Sequence, residues 1–165
     1  IEVLKHIERE KGIKLDSVFA FEPDPANVAR LVEVARESNR EKPSRRIIVS
    51  AAGVWSEPGV LYFDARATSS SNIVASPSQG DNFSSVAVTS LDVSLAGSPP
   101  NFVKMDVEGA ELEALKGADT IIRENLPVLT ICVYHKPDHL WSLPLYIQEQ
   151  YPDKYDMYLD RKSVV

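Results

Sequence analysis

A chain of 165 residues with 44% hydrophobic content is long and apolar enough for one domain with a substantial core. Its formal net charge of −6 and pI near 5.1 argue against a nucleic-acid or anionic-membrane surface, which would need a basic patch. The single cysteine, Cys132, excludes an internal disulfide, and its apolar surroundings indicate a buried thiol. No apolar stretch approaches the ~18 residues that cross a bilayer, so we predict no membrane partner and a cytoplasmic location.

Helical and strand patterns alternate along most of the chain, which predicts an α/β fold with a doubly wound, mostly parallel sheet in a single domain. Helices are predicted over 1–11, 26–38, 110–125 and 138–150, and Gly117 is expected to bend or split the third of them. Strands are predicted over 18–21, 46–50, 102–105 and 128–134, the last of them central and covered on both faces. We also predict a hairpin-like passage over 54–63, a long polar loop over 65–82, an edge strand over 85–89 and a last, antiparallel edge strand over 155–159.

Glu22 stands at the tip of the predicted strand over 18–21. In an open α/β sheet ligands bind beyond the carboxyl ends of the strands, and a carboxylate there accepts both hydrogen bonds of a ribose diol. That geometry serves nucleoside cofactors in general, nicotinamide dinucleotides included. The structural alternative is a helix-capping or solvated acid in the Glu22–Pro25 turn, where Asp24 is expected to cap the following helix.

Asp106 and Glu108 follow another predicted strand and stand two residues apart, so in an extended segment their side chains point the same way. Neighbouring carboxylates raise one pKa unless a cation or a hydrogen-bond donor lies between them. The sulfonium and amino group of S-adenosylmethionine would relieve that repulsion. An ion pair with Lys104, in a purely structural turn, is the alternative.

His135 comes directly after the apolar run that ends at Tyr134. A histidine beyond the carboxyl end of a strand is placed to act as a general base for a hydroxyl substrate. A hydrogen-bonded, purely structural histidine is the alternative. His139 lies four residues later, but Pro137 opposes a helix that begins at His135, so we predict no metal site.

The segment Phe102–Glu111, Phe-Val-Lys-Met-Asp-Val-Glu-Gly-Ala-Glu, followed by Leu-Lys-Gly-Ala over 115–118, closely resembles the signature of FkbM-type methyltransferases. Three further stretches agree with that family: Phe21–Pro25 with Asn27, Ser90–Asp92, and Tyr134–Pro137 through 140–145. The resemblance implies a Rossmann-like fold and S-adenosylmethionine as cofactor. It also implies O-methylation of a hydroxyl on a small molecule or sugar.

The resemblance further implies roles for particular residues of this chain. Cofactor binding would fall to Glu22 at the ribose, Ala51 and Ala52 beside the adenine, and Asp106 near the methionyl end. Glu108 and His135 would face the acceptor as catalytic residues.

The sequence also departs from the family. Family members carry a first strand and a Gly-rich turn before the first helix, whereas here the first predicted helix begins at residue 1. We therefore expect an N-terminally truncated domain, cut short at its C-terminus as well, that binds cofactor weakly on its own. Two alternatives stay open. A nicotinamide-dependent oxidoreductase would need a G-x-G-x-x-G run, which the sequence lacks, and a non-catalytic domain would keep the fold but bind a partner. The sequence does not indicate an oligomeric state.

Overall fold

The computed structural model describes residues 15–64, 73–74 and 83–159. The predicted helix over 1–11 lies outside the described residues, as does most of the predicted polar loop over 65–82.

Strands and helices alternate through the described residues, which confirms a mixed α/β fold. The strands are β1 (Ser17–Phe21), β2 (Arg46–Ser50), β3 (Gly53–Val54), β4 (Gly59–Asp64), β5 (Ile73–Val74), β6 (Phe83–Thr89), β7 (Phe102–Met105) and β8 (Val128–Ile131). The helices are α1 (Pro25–Glu41), α2 (Leu91–Ser94), α3 (Glu111–Lys116), α4 (Asp119–Asn125) and α5 (His139–Gln150). The predicted division of the helix over 110–125 at Gly117 is confirmed.

In the part of the chain that the structure describes, the strands form three small sheets rather than one continuous sheet. β1 and β2 pair in parallel, with Phe21 opposite Ser50, and β7 and β8 pair in parallel, with Met105 opposite Ile131. A four-stranded sheet has the order β3-β6-β4-β5. Asn39 of α1 bonds both the N–H and the C=O of Ile47, and so takes the place of a further strand beside β2.

The four-stranded sheet corrects two sequence predictions. β3 and β4 do not pair as the hairpin expected over 54–63, because β6 lies between them, parallel to β3 and antiparallel to β4. For the same reason the strand predicted at an edge over 85–89 is an interior strand. Alternation of apolar and polar residues reports that one face of a strand is buried, but it does not report which strands lie on either side.

Two further predictions, at the C-terminal side of the fold, are wrong. The strand predicted over 128–134 ends at Ile131, and only one of its faces is covered, since Val128 is 61% exposed. Residues 155–159 form no strand, so the predicted antiparallel edge strand is absent there. Tyr155 instead donates its hydroxyl to the carbonyl of Pro127 at 3.2 Å, which holds this segment against the start of β8 as an irregular chain.

One hydrophobic core joins β1 and β7, although they are not hydrogen-bonded to each other. Buried residues of α3, α4 and α5, among them Leu115 and Ile122, pack with Met105 of β7. Phe19 and Phe21 of β1 pack against the same cluster. Burial of each large aliphatic side chain contributes about 1.5–3 kcal/mol. The last residue of each strand, Phe21 in β1 and Met105 in β7, therefore lies in this core or packs against it.

The junction of α3 and α4 is held by a close backbone approach and by a distant cap. A Cβ atom on Gly117 would overlap the carbonyl oxygen of Trp55, so only glycine fits there. The carboxylate of Asp92, which is distant in sequence, accepts hydrogen bonds from the N–H groups of Thr120 and Ile121, each at 2.9 Å, and so caps α4. Ser90 caps α2 in the same stretch, so the Ser90–Asp92 segment has a structural role.

Candidate active site at the carboxyl end of β7

A tight turn follows β7 and presents the side chain of Glu108 to solvent. The N–H of Ala110 donates to the carbonyl of Val107 at 3.0 Å, and the two central residues, Glu108 and Gly109, have φ values of 52° and 96°. Positive φ at both central residues is the mark of a type I′ turn. Such a φ is unfavourable for glutamate, whose side chain is 85% exposed here. Other groups must therefore hold this turn.

Asp106, the first residue after β7, is held by two hydrogen-bond donors. The ammonium of Lys104 and the phenol of Tyr134 each donate to its carboxylate at 3.0 Å. Partial burial acts to raise the pKa of Asp106, but the hydrogen bonds from Lys104 and Tyr134 and the Lys104 charge outweigh it, so the pKa is lowered. The ion pair with Lys104 that the sequence offered as an alternative is present.

His135 lies between the carboxylates of this end of the sheet. Its Nδ1 is 2.7 Å from Oε1 of Glu111, and its Nε2 is 3.4 Å from Oδ1 of Asp106 and 3.6 Å from Oε2 of Glu108. The imidazole is only 9% exposed. The structure thus brings together Asp106, Glu108 and His135, three of the residues that the sequence analysis selected.

Glu111 is the residue of this site that the sequence analysis missed. Its side chain is fully buried, and its Oε1 accepts the N–H groups of Val107 and Gly109 at 3.2 and 3.3 Å. Its Oε2 lies 3.1 Å from Nδ1 of His139, but the two groups are not aligned as a hydrogen bond. In sequence, Glu111 is an acid in the first turn of a helix, which the helix dipole favours without any burial. The sequence signal for this buried acid was the pair His135 and His139, because both imidazoles contact the Glu111 carboxylate.

Tyr134 and Cys132 complete the polar surroundings of Asp106. The Tyr134 ring lies 4.4 Å from the His135 ring at an angle of 50°. Hydrogen bonding to Cys132 and to Asp106 raises the pKa of the Tyr134 phenol, so the phenol stays protonated and donates to Asp106. Burial raises the pKa of Cys132, which is the buried thiol that the sequence predicts.

Glu22 marks the corresponding end of the β1–β2 pair. Its N–H donates to the carbonyl of Ser50 at 3.1 Å, and its Oε1 accepts the N–H of Asp24 at 2.9 Å. Ala51 and Ala52 follow Ser50 directly, so they lie at the same end of the pair. The helix cap predicted at Asp24 is confirmed, since its Oδ1 accepts the N–H of Asn27 at 2.9 Å.

A shallow pocket of about 320 Å³ opens beside Glu22. It is lined by Glu22 and by side chains of α1: Asn27, Arg30, Leu31 and Val34. Within residues 15–64, 73–74 and 83–159, no group of three or more His, Cys, Asp or Glu side chains is arranged to hold a metal ion. No helix in these ranges is both long and apolar enough to cross a bilayer.

Comparison with known proteins identifies the family. The profile described as the methyltransferase FkbM domain matches residues 4–162. The chain belongs to the FkbM methyltransferase domain family. The resemblance inferred from the segment Phe102–Glu111 is thereby confirmed.

Two known methyltransferases show how this FkbM domain compares with longer proteins. It is 32% identical over 102 residues to the hexuronic acid methyltransferase AglP of Haloferax volcanii, covering 61% of this chain and 41% of that protein. It also matches the crystal structure of methyltransferase FkbM from Methylobacillus flagellatus KT with a TM-score of 0.70 and 30% identity, covering 92% of this chain and 35% of that one. The domain therefore spans less than half the length of either protein.

Proposed function

We propose that this FkbM domain is part of an S-adenosylmethionine-dependent methyltransferase that methylates a hydroxyl of a sugar, with a hexuronic acid as the first candidate. The observation that supports it best is the setting of His135. Glu111 contacts one nitrogen of this imidazole, and the other nitrogen faces the two carboxylates at the carboxyl end of β7. The match to a family of methyltransferases supports the reaction class, and a relative described as a hexuronic acid methyltransferase supports the choice of acceptor.

The acids at the two strand ends fit the cofactor chemically. S-adenosylmethionine, when bound, supplies a methyl group on a positively charged sulfur. Glu22 offers carboxylate oxygens to the ribose hydroxyls, beside an open pocket. Ala51 and Ala52, whose side chains are small, would flank the adenine, and Asp106 would meet the methionyl amino group. This assignment treats the β1–β2 and β7–β8 pairs as parts of one doubly wound, Rossmann-like arrangement around their shared core.

His135 is the proposed general base. Its Nε2 takes up the proton that the acceptor hydroxyl loses, while its Nδ1 stays hydrogen-bonded to the carboxylate of Glu111. The carboxylates of Asp106, Glu108 and Glu111 lie within 3.6 Å of the ring and stabilise the imidazolium that forms. Glu108, which is exposed on the positive-φ turn, is placed to contact the acceptor.

The charge of the site favours a hydroxyl over a carboxylate as the methyl acceptor. A hexuronic acid carries both groups, and a carboxylate has no proton to lose at neutral pH. Asp106 and Glu108 would repel an incoming carboxylate, whereas a neutral hydroxyl meets no such repulsion and needs the base that His135 provides. The proposed reaction therefore forms an ether and not an ester.

Substitution of His135 tests the proposal. In the full protein, with radiolabelled S-adenosylmethionine and a panel of hexose and hexuronic acid glycosides, His135→Ala should lower turnover by roughly 10²–10⁴-fold. Cofactor affinity, measured by calorimetry, should be unchanged. Glu149→Ala, at an exposed position on α5, serves as the control and should keep full turnover. A near-wild-type rate for His135→Ala would exclude His135 as the base.

Substitution of Glu22 tests the cofactor assignment separately. Glu22→Gln removes the charge from the hydrogen bonds to the ribose, and should weaken S-adenosylmethionine binding by about tenfold. At saturating cofactor the turnover should return to the wild-type value, because Glu22 lies away from His135 in this assignment. If the wild-type protein binds no cofactor at all, the domain is instead a non-catalytic member that keeps the fold.

A further inference from the structure

The buried carboxylate of Glu111 has more partners than a helix-capping acid needs. Its Oε1 is approached by three nitrogens: Nδ1 of His135 at 2.7 Å and the backbone nitrogens of Val107 and Gly109 at 3.2 and 3.3 Å. His139 approaches the other oxygen at 3.1 Å. The side chains of both histidines are at least nine-tenths buried, and that of Glu111 is completely so.

We propose that Glu111 is a positioning residue, which fixes His135 with its proton on Nδ1 and its Nε2 turned toward the acceptor. The proposal rests on the proposed role of His135 as the base. An ionised carboxylate only accepts hydrogen bonds, so Nδ1 must carry the hydrogen in the 2.7 Å contact. The tautomer of a neutral imidazole is set by such a bond, and the lone pair is then on Nε2.

The same carboxylate ties the base to the turn that carries Glu108. The N–H groups of Val107 and Gly109 flank Glu108, whose φ of 52° is unfavourable for a residue other than glycine. Both of these groups donate to the oxygen that holds His135. Glu111 therefore places the imidazole and the exposed Glu108 carboxylate in a fixed relation, with Nε2 and Oε2 3.6 Å apart. Such a constraint is what a base needs if it is to meet its substrate at a constant distance.

His139 lies against the other carboxylate oxygen of Glu111. It is the first residue of α5, and its Nδ1 is 3.1 Å from Oε2 of Glu111, without the alignment of a hydrogen bond. A fully buried carboxylate requires charge or hydrogen-bond compensation. His135 and two backbone N–H groups provide that compensation at Oε1, and the His139 imidazole lies beside Oε2.

Long-range ¹H–¹⁵N NMR of the full, ¹⁵N-labelled protein reads the protonated nitrogen of His135 directly. The spectra should show hydrogen on Nδ1, and His135→Gln assigns the signals. An imidazole with its only hydrogen on Nε2, or with hydrogens on both nitrogens at neutral pH, would overturn the proposal, because Nε2 then has no lone pair. This readout does not depend on activity. If His135→Ala does not affect turnover, His135 is not the base, but the spectra still decide whether Glu111 positions its ring.

Glu111→Gln is the matched variant, because it keeps the shape and an acceptor oxygen while it removes the charge. We expect His135 to keep its hydrogen on Nδ1, kcat to fall roughly 10- to 100-fold and the KM for S-adenosylmethionine to stay the same. Glu111→Leu removes the acceptor as well, and should shift the hydrogen of His135 to Nε2. A wild-type kcat in Glu111→Gln would refute the proposal, and if neither variant folds, the wild-type spectra still decide it.

Discussion

The carboxyl ends of the two parallel strand pairs carry the same kinds of acid but differ in construction. At the β7–β8 end, Asp106 accepts hydrogen bonds from Lys104 and Tyr134, and Glu111 accepts hydrogen bonds from His135 and from two backbone N–H groups. At the β1–β2 end, Glu22 accepts the N–H of Asp24 and lines an open pocket. The first end is preorganised before any ligand arrives, whereas at the second the half-buried Glu22 lines a pocket that is open to a ligand.

The difference matches what each end is proposed to do. A catalytic base is effective when its surroundings are fixed in advance, because no reorganisation is then needed during the reaction. A ribose diol, by contrast, brings its own hydroxyl donors, and a carboxylate with accessible oxygens suffices to accept them. The two ends should therefore respond differently to the same substitution.

The paired variants Glu111→Ala and Glu22→Ala test this contrast and carry the largest expected effect. Loss of Glu111 leaves the backbone N–H groups of the turn and the buried imidazole of His135 without their acceptor, and should lower the free energy of unfolding by about 3 kcal/mol. Loss of Glu22 should lower it by less than about 0.5 kcal/mol. Urea denaturation of both variants measures the two values. Equal losses would mean that the two ends are built alike.

Gly117→Ala should have the next largest effect, because it disturbs a close backbone contact between the α3–α4 junction and the segment after β3. Gly117 follows α3, which begins at Glu111, and it packs against the backbone of Trp55, which follows β3. An added methyl group must push these segments apart, at a cost of about 2 kcal/mol. Gly59→Ala is the control, since a Cβ atom there meets no atom within 4 Å. Comparable melting temperatures for the two variants would contradict the close approach.

The local features of this fold could be predicted from the sequence. Asp24 followed by Pro25 predicted a capped helix start, and Gly117 predicted a break between two helices, because caps and breaks depend on residues close in the chain. The acids after β1 and β7 were also placed correctly at strand ends. Their roles toward a cofactor stay predictions.

What the sequence did not reveal depends on distant partners. The interior position of β6 follows from β3 and β4 on its two sides, and no local pattern specifies such neighbours. The irregular segment over 155–159 has a strand-like composition, but its exposed Tyr158 and Leu159 lie in no sheet. Glu111 was missed for the same reason, since its burial results from the β8–α5 segment that brings His135 and His139 onto it.

The smallest predicted effect concerns the exposed charges of the preorganised end and their pH dependence. In the folded protein the pKa of Asp106 is lowered from its ordinary value of 3.8. The ionised carboxylate therefore stabilises the fold above about pH 4, and this contribution is lost as the pH falls through the lower pKa of the folded state. Because the Lys104–Asp106 pair is partly exposed, the contribution should be less than about 1 kcal/mol.

Comparison of wild type with Asp106→Asn measures this contribution. The difference in unfolding free energy should be constant from pH 5 to 7, should shrink below pH 4, and should also shrink in 1 M NaCl, which screens exposed charges. Lys104→Met at pH 7 should reproduce part of the loss. Of the Lys104 and Tyr134 donors, Asp106 then keeps only the Tyr134 hydroxyl. If the wild type instead gains stability relative to Asp106→Asn as the pH falls, the ionised form of Asp106 destabilises the fold. This end of the sheet would then carry a negative charge that a bound cationic ligand is needed to compensate.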